Sequence, residues 1–461
     1  MTDTLADVTT PHRWRWLALA ALLVAEAMNL LDTTIVQVAS PAIRADLTAT
    51  DGQTQWLTAG YTLPFAVLLI TGGRLGDILG RRRVFVIGVV TFVLCSALCA
   101  LAPNILVLIV TRALQGAGAA LIIPQTIGLI RTMFDGPERA KAFGAIGPVM
   151  ALAAVSGPVL GGVLTDADVL GTGWRSVFLI NVPLGLAVLL VSSLIREDRS
   201  AANPRLDVTG TVLVAAGTGL LIYPLVQGND AGWPLWTWIC LLLGLGTLGV
   251  FVRHQIGRTR SPLVEPGLFR DAVFPASMLM SLLFFAVMNG LMFVLVVFFQ
   301  IGLGASAFDA GLAMSPWSAG LAVGSLTAGM VLVPRFGAKV MRLGVVVLVL
   351  GLVATALLIT TPGPGLAWRL LVPLFVAGLG LGTFTPPFFT NALSQVRPHE
   401  TGSAAGLLNA VQQFGSTVGV AVLGAVFFHS GPQLPLWLAV GMLAVVMALT
   451  FTGQRRNSPA E

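Results

Sequence analysis

Two carboxylates, Glu26 and Asp32, stand inside an apolar run long enough to cross a membrane, and a later run holds Arg112 with Gln115 close behind it. Charge is expensive in hydrocarbon, so such residues face a partner, a wet cavity or a ligand. Desolvation favours the neutral form of a carboxylate and a neighbouring cation favours the charged form. An acid held between those influences can take up and release a proton as its surroundings dry and wet. The chemistry these residues allow is proton uptake and release rather than bond making. Glu26 and Asp32 are six positions apart, about 120° around a helix, and Asn29 is three from each. The competing reading makes Asp32 a hydrogen-bonded structural residue and Arg112 a side chain held by backbone carbonyls. Gln125, Asn289, Gln300, Asn409, Gln412 and Gln413 are further polar side chains within apolar runs, each as fit for helix packing as for lining a cavity.

The elements that must position these groups are membrane helices. Hydrophobic residues make up 56% of the 461 and charged residues 10%, where a soluble domain carries about a quarter charged. A bilayer core about 30 Å thick takes roughly 20 apolar residues per helix, and such runs recur fourteen times. The expected fold is an all-α membrane bundle of two six-helix halves, residues 16–195 and 271–452. A linker, 196–270, carries two inserted spans, Val208 to Gln227 and Leu235 to Val252, joined by a turn-rich Gly228–Gly232. Tails of 1–15 and 453–461 complete the chain, the first read as a tail rather than a cleaved leader.

Fourteen spans put both termini on one side. Of the 26 Lys and Arg, 22 then fall on the terminus-bearing side and only Arg44, Arg175 and Arg369 on the other, leaving Arg112 inside a span. That bias predicts cytoplasmic termini in the cytoplasmic membrane. The same distribution explains the net charge of +6 without nucleic acid. Cys95, Cys99 and Cys240 lie in apolar runs and read as packing residues. Both lysines, Lys141 and Lys339, follow alanine, so the Gly-Lys-Ser/Thr of a phosphate loop is missing. With four scattered histidines and no His-Glu-x-x-His, neither an enzyme nor a bound metal or cofactor is expected.

Four segments carry a family likeness. After the second span the chain reads Gly73-Arg-Leu-Gly-Asp77-Ile-Leu-Gly80-Arg81-Arg82-Arg83. The fourth span contains Arg112-x-x-Gln115-Gly-x-Gly, the fifth Gly157-Pro158-x-x-Gly161-Gly162, and the first ends Leu-Asp32-Thr-Thr-Ile-Val-Gln-Val-Ala-Ser-Pro. Together with Trp174, Arg175, Phe178, Asn181, Pro183 and Gly185, these resemble the major facilitator superfamily, specifically its fourteen-helix drug:proton antiporter branch. The sequence departs from that branch at Ala153, Gln37 and Ser40. Gly337, Ala338 and Lys339 weakly echo the Gly80 turn in the second half.

The resemblance implies that Asp77, with Gly73, Gly80, Arg81 and Arg82, latches one conformation by docking near Thr401, Gly402 and Ser403. It implies a proton-transfer role for Arg112 beside Asp32, Glu26, Asn29 and Gln115, and an antiporter motif in Gly157, Pro158, Gly161 and Gly162. The expected function is proton-coupled export of small, lipophilic drugs or antibiotics by a monomer whose partners are substrate, protons and the bilayer. The alternative is a proton-coupled importer or exporter of one endogenous metabolite.

Overall fold

The computed structural model describes residues 14–166, 171–198, 206–258, 263–270, 272–360, 365–393, 396–397 and 401–451. Most of both predicted tails lies outside these residues. Thirteen of the described helices are long and apolar enough to span a membrane: α1 (Arg15–Asp46), α2 (Asp51–Leu79), α3 (Arg81–Ala100), α4 (Ile105–Met133), α5 (Ile146–Asp166), α6 (Gly173–Leu194, broken near Ile180), α7 (Val208–Ala231), α8 (Leu235–Gly257), α9 (Val273–Val297), α10 (Ala307–Thr327), α11 (Lys339–Ile359), α12 (Leu366–Leu393) and α13 (Thr401–Ser430). The fourteenth, α14 (Gln433–Leu449), has 17 residues and is equally apolar.

The packing repeats between the halves. α2 and α3 pack on α4 as α10 and α11 pack on α12, while α1 lies on α5 as α9 lies on α13. The halves meet along two crossings, α5 on α10 and α2 on α13. Small residues make these approaches possible, as lipid offers helices no hydrophobic drive to associate. A Cβ added at Gly162 would strike Phe308 and the Ala307 carbonyl, and one at Gly311 would strike the Pro158 carbonyl. Large side chains fill each half separately, among them Phe85 and Phe92 in the first and the stacked Phe284, Phe384 and Phe388 in the second.

The start of α1 and the residues after α14 lie on one face. Arg15 pairs with Glu138 of the α4–α5 connection at 2.8 Å, and Arg342 at the start of α11 covers the Phe451 ring at 4.0 Å. The fifth span begins at Ile146. The residues before it form a separate short helix, Gly136–Gly144, with Glu138 in its first turn and Lys141 in its last. The turns after α2 and before α11 both use a glycine at positive φ, Gly80 at 104° and Gly337 at 57°.

The inserted pair α7 and α8 packs together, and α7 also touches both halves. Ile222 and Val226 meet Ala59 of α2 and Ala421 of α13 in one buried cluster. The stretch Gly228–Gly232, read as a turn, is helical to Ala231, because Asp230 has a use there. Its Oδ2 accepts from the Thr50 hydroxyl at 2.7 Å and the Gly52 N–H at 3.1 Å, at the N-terminus of α2. At the other end Asp207 begins α7, accepting from the Gly210 N–H at 2.9 Å and Gln255 Nε2 at 2.7 Å, with His254 Nε2 at 3.0 Å and Arg258 at 3.4 Å. Burial pushes the Asp207 carboxyl up, but those hydrogen bonds and the Arg258 charge outweigh it and hold it below its ordinary value.

Candidate proton and substrate site

Asp32 lies midway along α1 and is fully enclosed by α2, α3, α4 and α6. Its Oδ2 pairs with Arg112 Nη1, and both side chains are at most 1% exposed. Oδ1 accepts from Gln115 Nε2 at 3.1 Å and Asn181 Nδ2 at 2.9 Å. Arg112 also donates through Nε to the Leu57 carbonyl at 3.2 Å and through Nη1 to Gln115 Oε1 at 2.9 Å. The Tyr61 ring lies 4.3 Å from the guanidinium.

Local sequence explains this convergence. Arg112 and Gln115 are three apart on α4 and share a face. Gly116 follows, and a Cβ there would run into the Tyr61 carbonyl, so the glycine lets α2 close on α4 and bring Tyr61 over Arg112. Asn181 sits just past the break in α6, where Ser96 Oγ accepts from Asn181 Nδ2 at 3.0 Å and donates to the Phe178 carbonyl at 2.9 Å. A charge pair this deep is tolerable only because hydrogen bonds complete it. Among the described residues, the Tyr61 hydroxyl and Asn181 Oδ1 are buried with no protein partner.

Of the sequence-predicted residues, Asp32, Arg112 and Gln115 therefore form one cluster. Glu26 does not join it. Glu26 lies further along α1 towards the terminus-bearing face, beside Thr126 of α4. Asn29 is buried, and its amide nitrogen has no partner among the described residues. Asn181 and Tyr61 also belong to this cluster, and the sequence analysis gave neither a place in it. Asn181 was legible only as part of a family-like segment, and Tyr61 as one of just two tyrosines in the chain. The other polar side chains divide into glue and seam: Gln125 donates to the Gly72 carbonyl at 2.8 Å and Asn289 to Ser416 at 2.8 Å within their halves, while Gln300 crosses between them.

Gly157 packs on Thr34 and Gly161 on Ile35 of α1, the helix that carries Asp32, while Gly162 faces α10. Gly157, Pro158, Gly161 and Gly162 thus form a joint touching both the buried pair's helix and the opposite half. Of the polar and ring contacts between the halves, Thr62 Oγ1 with Thr417 Oγ1 at 2.6 Å is central, and three more lie on the face away from the termini. Gln300 Nε2 donates to the Val38 carbonyl at 2.7 Å, the Phe308 N–H donates to Asp166 Oδ2 at 2.7 Å, and Arg44 covers the Phe428 ring at 5.4 Å. These contacts hold the halves together on that face.

On the terminus-bearing face, Asp77 pairs with Arg81 at 2.6 Å inside its own half. Arg81 also meets Asp198 at 3.2 Å, and the Arg82 N–H donates to Glu197 at 3.0 Å. Gly73 faces Pro124 of α4, and Gly80 supplies the turn. The side chains of Thr401, Gly402 and Ser403, the expected docking point, lie outside the described residues.

Two repeated six-helix groups meeting along two crossings, with a buried ion pair inside one group, are the architecture of a polytopic membrane transporter. The chain belongs to the Major Facilitator Superfamily, whose sequence profile matches residues 22–420. It is 48% identical over 431 residues to a probable actinorhodin transporter of Streptomyces coelicolor, covering 92% of this chain and 75% of that one. It is 36% identical over 412 residues to a cephamycin export protein of Amycolatopsis lactamdurans, covering 88% and 84%. In fold it is similar to the inward-facing, unoccupied crystal structure of a bacterial homologue of the human lysosomal transporter Spinster. That likeness has a TM-score of 0.68, at 18% identity, over 97% of this chain and 99% of the other.

Proposed function

We propose that this protein exports small antibiotic-like molecules across the cytoplasmic membrane in exchange for protons, as a monomer with both termini in the cytoplasm. The observation that carries the reading is the buried Asp32–Arg112 pair, an acid and a base enclosed by four helices of one half. Protonation of Asp32 frees Arg112 and unmakes the pair; deprotonation remakes it. The neighbouring Tyr61 hydroxyl and Asn181 carbonyl offer hydrogen-bonding positions for water or for the moving proton. Glu26, beside Thr126, is a second acid on the same helix, placed to pass a proton towards the terminus-bearing face. The bundles of residues 16–195 and 271–452 rock about α5–α10 and α2–α13, exposing the site to each side in turn.

Export is the favoured direction because a relative at 36% identity is named for it, and the Gly157-Pro158-Gly161-Gly162 joint resembles the antiporter motif. The bias of basic residues to the terminus-bearing side supports the orientation. One proton moved through 100 mV supplies about 2.3 kcal/mol, enough for roughly a 50-fold concentration gradient. The test is an energised inside-out vesicle holding a pH-gradient dye, to which a panel of polycyclic, β-lactam and lipophilic cationic compounds is added. Substrate-dependent collapse of the gradient is expected. Uptake by right-side-out cells, with no collapse in inverted vesicles, would reverse the direction and replace export with import.

A further inference from the structure

Asp166 is the last residue of α5, and its carboxylate accepts the N–H of Phe308, the second residue of α10 in the other half. The electrostatics of that position are one-sided. The C-terminal end of α5 carries partial negative charge and no basic residue in its last turn, so it repels the carboxylate. The N-terminal end of α10 carries partial positive charge and attracts it. Asp166 is therefore stabilised by the opposite half and disfavoured by its own. Gly162, one turn back, lets the α10 terminus come near enough for the bond, since any Cβ there would strike Phe308.

Asp77 stands in the same relation to its own helix. It lies near the C-terminal end of a first-half helix, α2, but on the terminus-bearing face and beside the other crossing, α2 with α13. Here it is turned to Arg81 of its own half, while Asp166 is engaged across the seam. We infer that Asp166 is the latch of the face opposite the termini, holding it closed by capping α10 and letting go when that face opens. This rests on the alternating-access reading above. The two aspartates form a reciprocal pair in which engagement of one accompanies release of the other.

Hydrogen–deuterium exchange of the full chain in lipid nanodiscs, without substrate, tests the inference. Loss of a helix-terminus carboxylate is worth about a two- to fivefold change in the open-to-closed ratio. Asp166→Asn is expected to raise exchange by that factor in all three segments that meet on that face, residues 36–46, 300–312 and 424–430. Asp309→Asn removes another acid from the first turn of α10 without touching α5, so it is expected to raise exchange only near residues 306–310. If Asp166→Asn gives that same local pattern, or no rise, Asp166 is merely a cap and the latch is overturned. Transport plays no part in this readout, so a protein that moves none of the panel compounds still answers the question.

Discussion

Asp32→Asn separates the structural and the proton-carrying roles of the buried pair. The substitution is nearly isosteric, but it turns one acceptor oxygen into a donor. Oδ1 already accepts from Gln115 and Asn181 and Oδ2 from Arg112, so the new NH2 must face a donor whichever way the amide is turned. Arg112 would then keep its charge with only neutral oxygens, those of Leu57 and Gln115 among them, to meet it. At an effective dielectric of about 20, unit charges about 3 Å apart attract by roughly 5 kcal/mol. Removing one partner of a buried pair costs about 3–5 kcal/mol, and the two figures agree. The double variant Asp32→Asn with Arg112→Gln gives the new amide a carbonyl to bond and removes the stranded charge. It is expected to recover at least about 2 kcal/mol of that loss.

Denaturant unfolding in detergent, followed by tryptophan fluorescence, measures the stability arm. Proton release on substrate addition in inverted vesicles measures the transport arm. The expected result is a destabilised single variant, a largely restored double variant, and no coupled proton movement in either. A double variant that regained proton coupling would show that the pair only braces the bundle. A single variant within about 1 kcal/mol of the parent would show that the charges are not interdependent as the geometry requires.

Asp77→Asn removes a partly exposed pair worth at most about 1 kcal/mol, so stability should hold while turnover in vesicles falls several-fold; unchanged turnover would remove Asp77 from the cycle. Gly162→Val forces α5 from α10 and is expected to cost about 1–3 kcal/mol and, in an Ala307→Cys background, to open that buried position to membrane-impermeant labelling. Unaltered labelling would mean that the crossing is looser than its contacts indicate. Asp207 binds its proton less readily when folded than when unfolded, so its contribution is complete above the unfolded value near 4 and is lost as pH falls through the lower folded value. Amide exchange at the start of α7 should therefore be flat from about pH 8 to 5 after correction for intrinsic rates, and accelerate below about 4. Asp207→Asn, which keeps the cap but cannot titrate, should abolish that acid step.

The fold was legible because lipid imposes a simple code. Span length, the sidedness of Lys and Arg, and glycines where helices touch are all local properties of the chain. Asp32, Arg112 and Gln115 were legible for the same reason, since polar groups in long apolar runs stand out one at a time. The rest depends on distance in space. Asn181 reaches Asp32 across 149 positions and Tyr61 covers Arg112 from another helix, and neither spacing leaves a trace in sequence. Asp230 misled for a physical reason: Gly228–Gly232 has turn composition, yet the N-terminus of α2 holds its acid and the helix carries on to meet it. Asp166 meets α10 across 142 positions, a contact that no spacing in the chain announces.

The position of α7 makes the two seams unequal to a molecule dissolved in the lipid. Along α2 and α13 the join is covered by Ile222 and Val226 of α7, whereas among the described residues neither inserted helix packs closely on α5 or α10. An oily solute in the leaflet thus meets a join covered by α7 on one side and two directly packed helices on the other. The inserted pair makes a bundle with two matched sides into one with a front and a back.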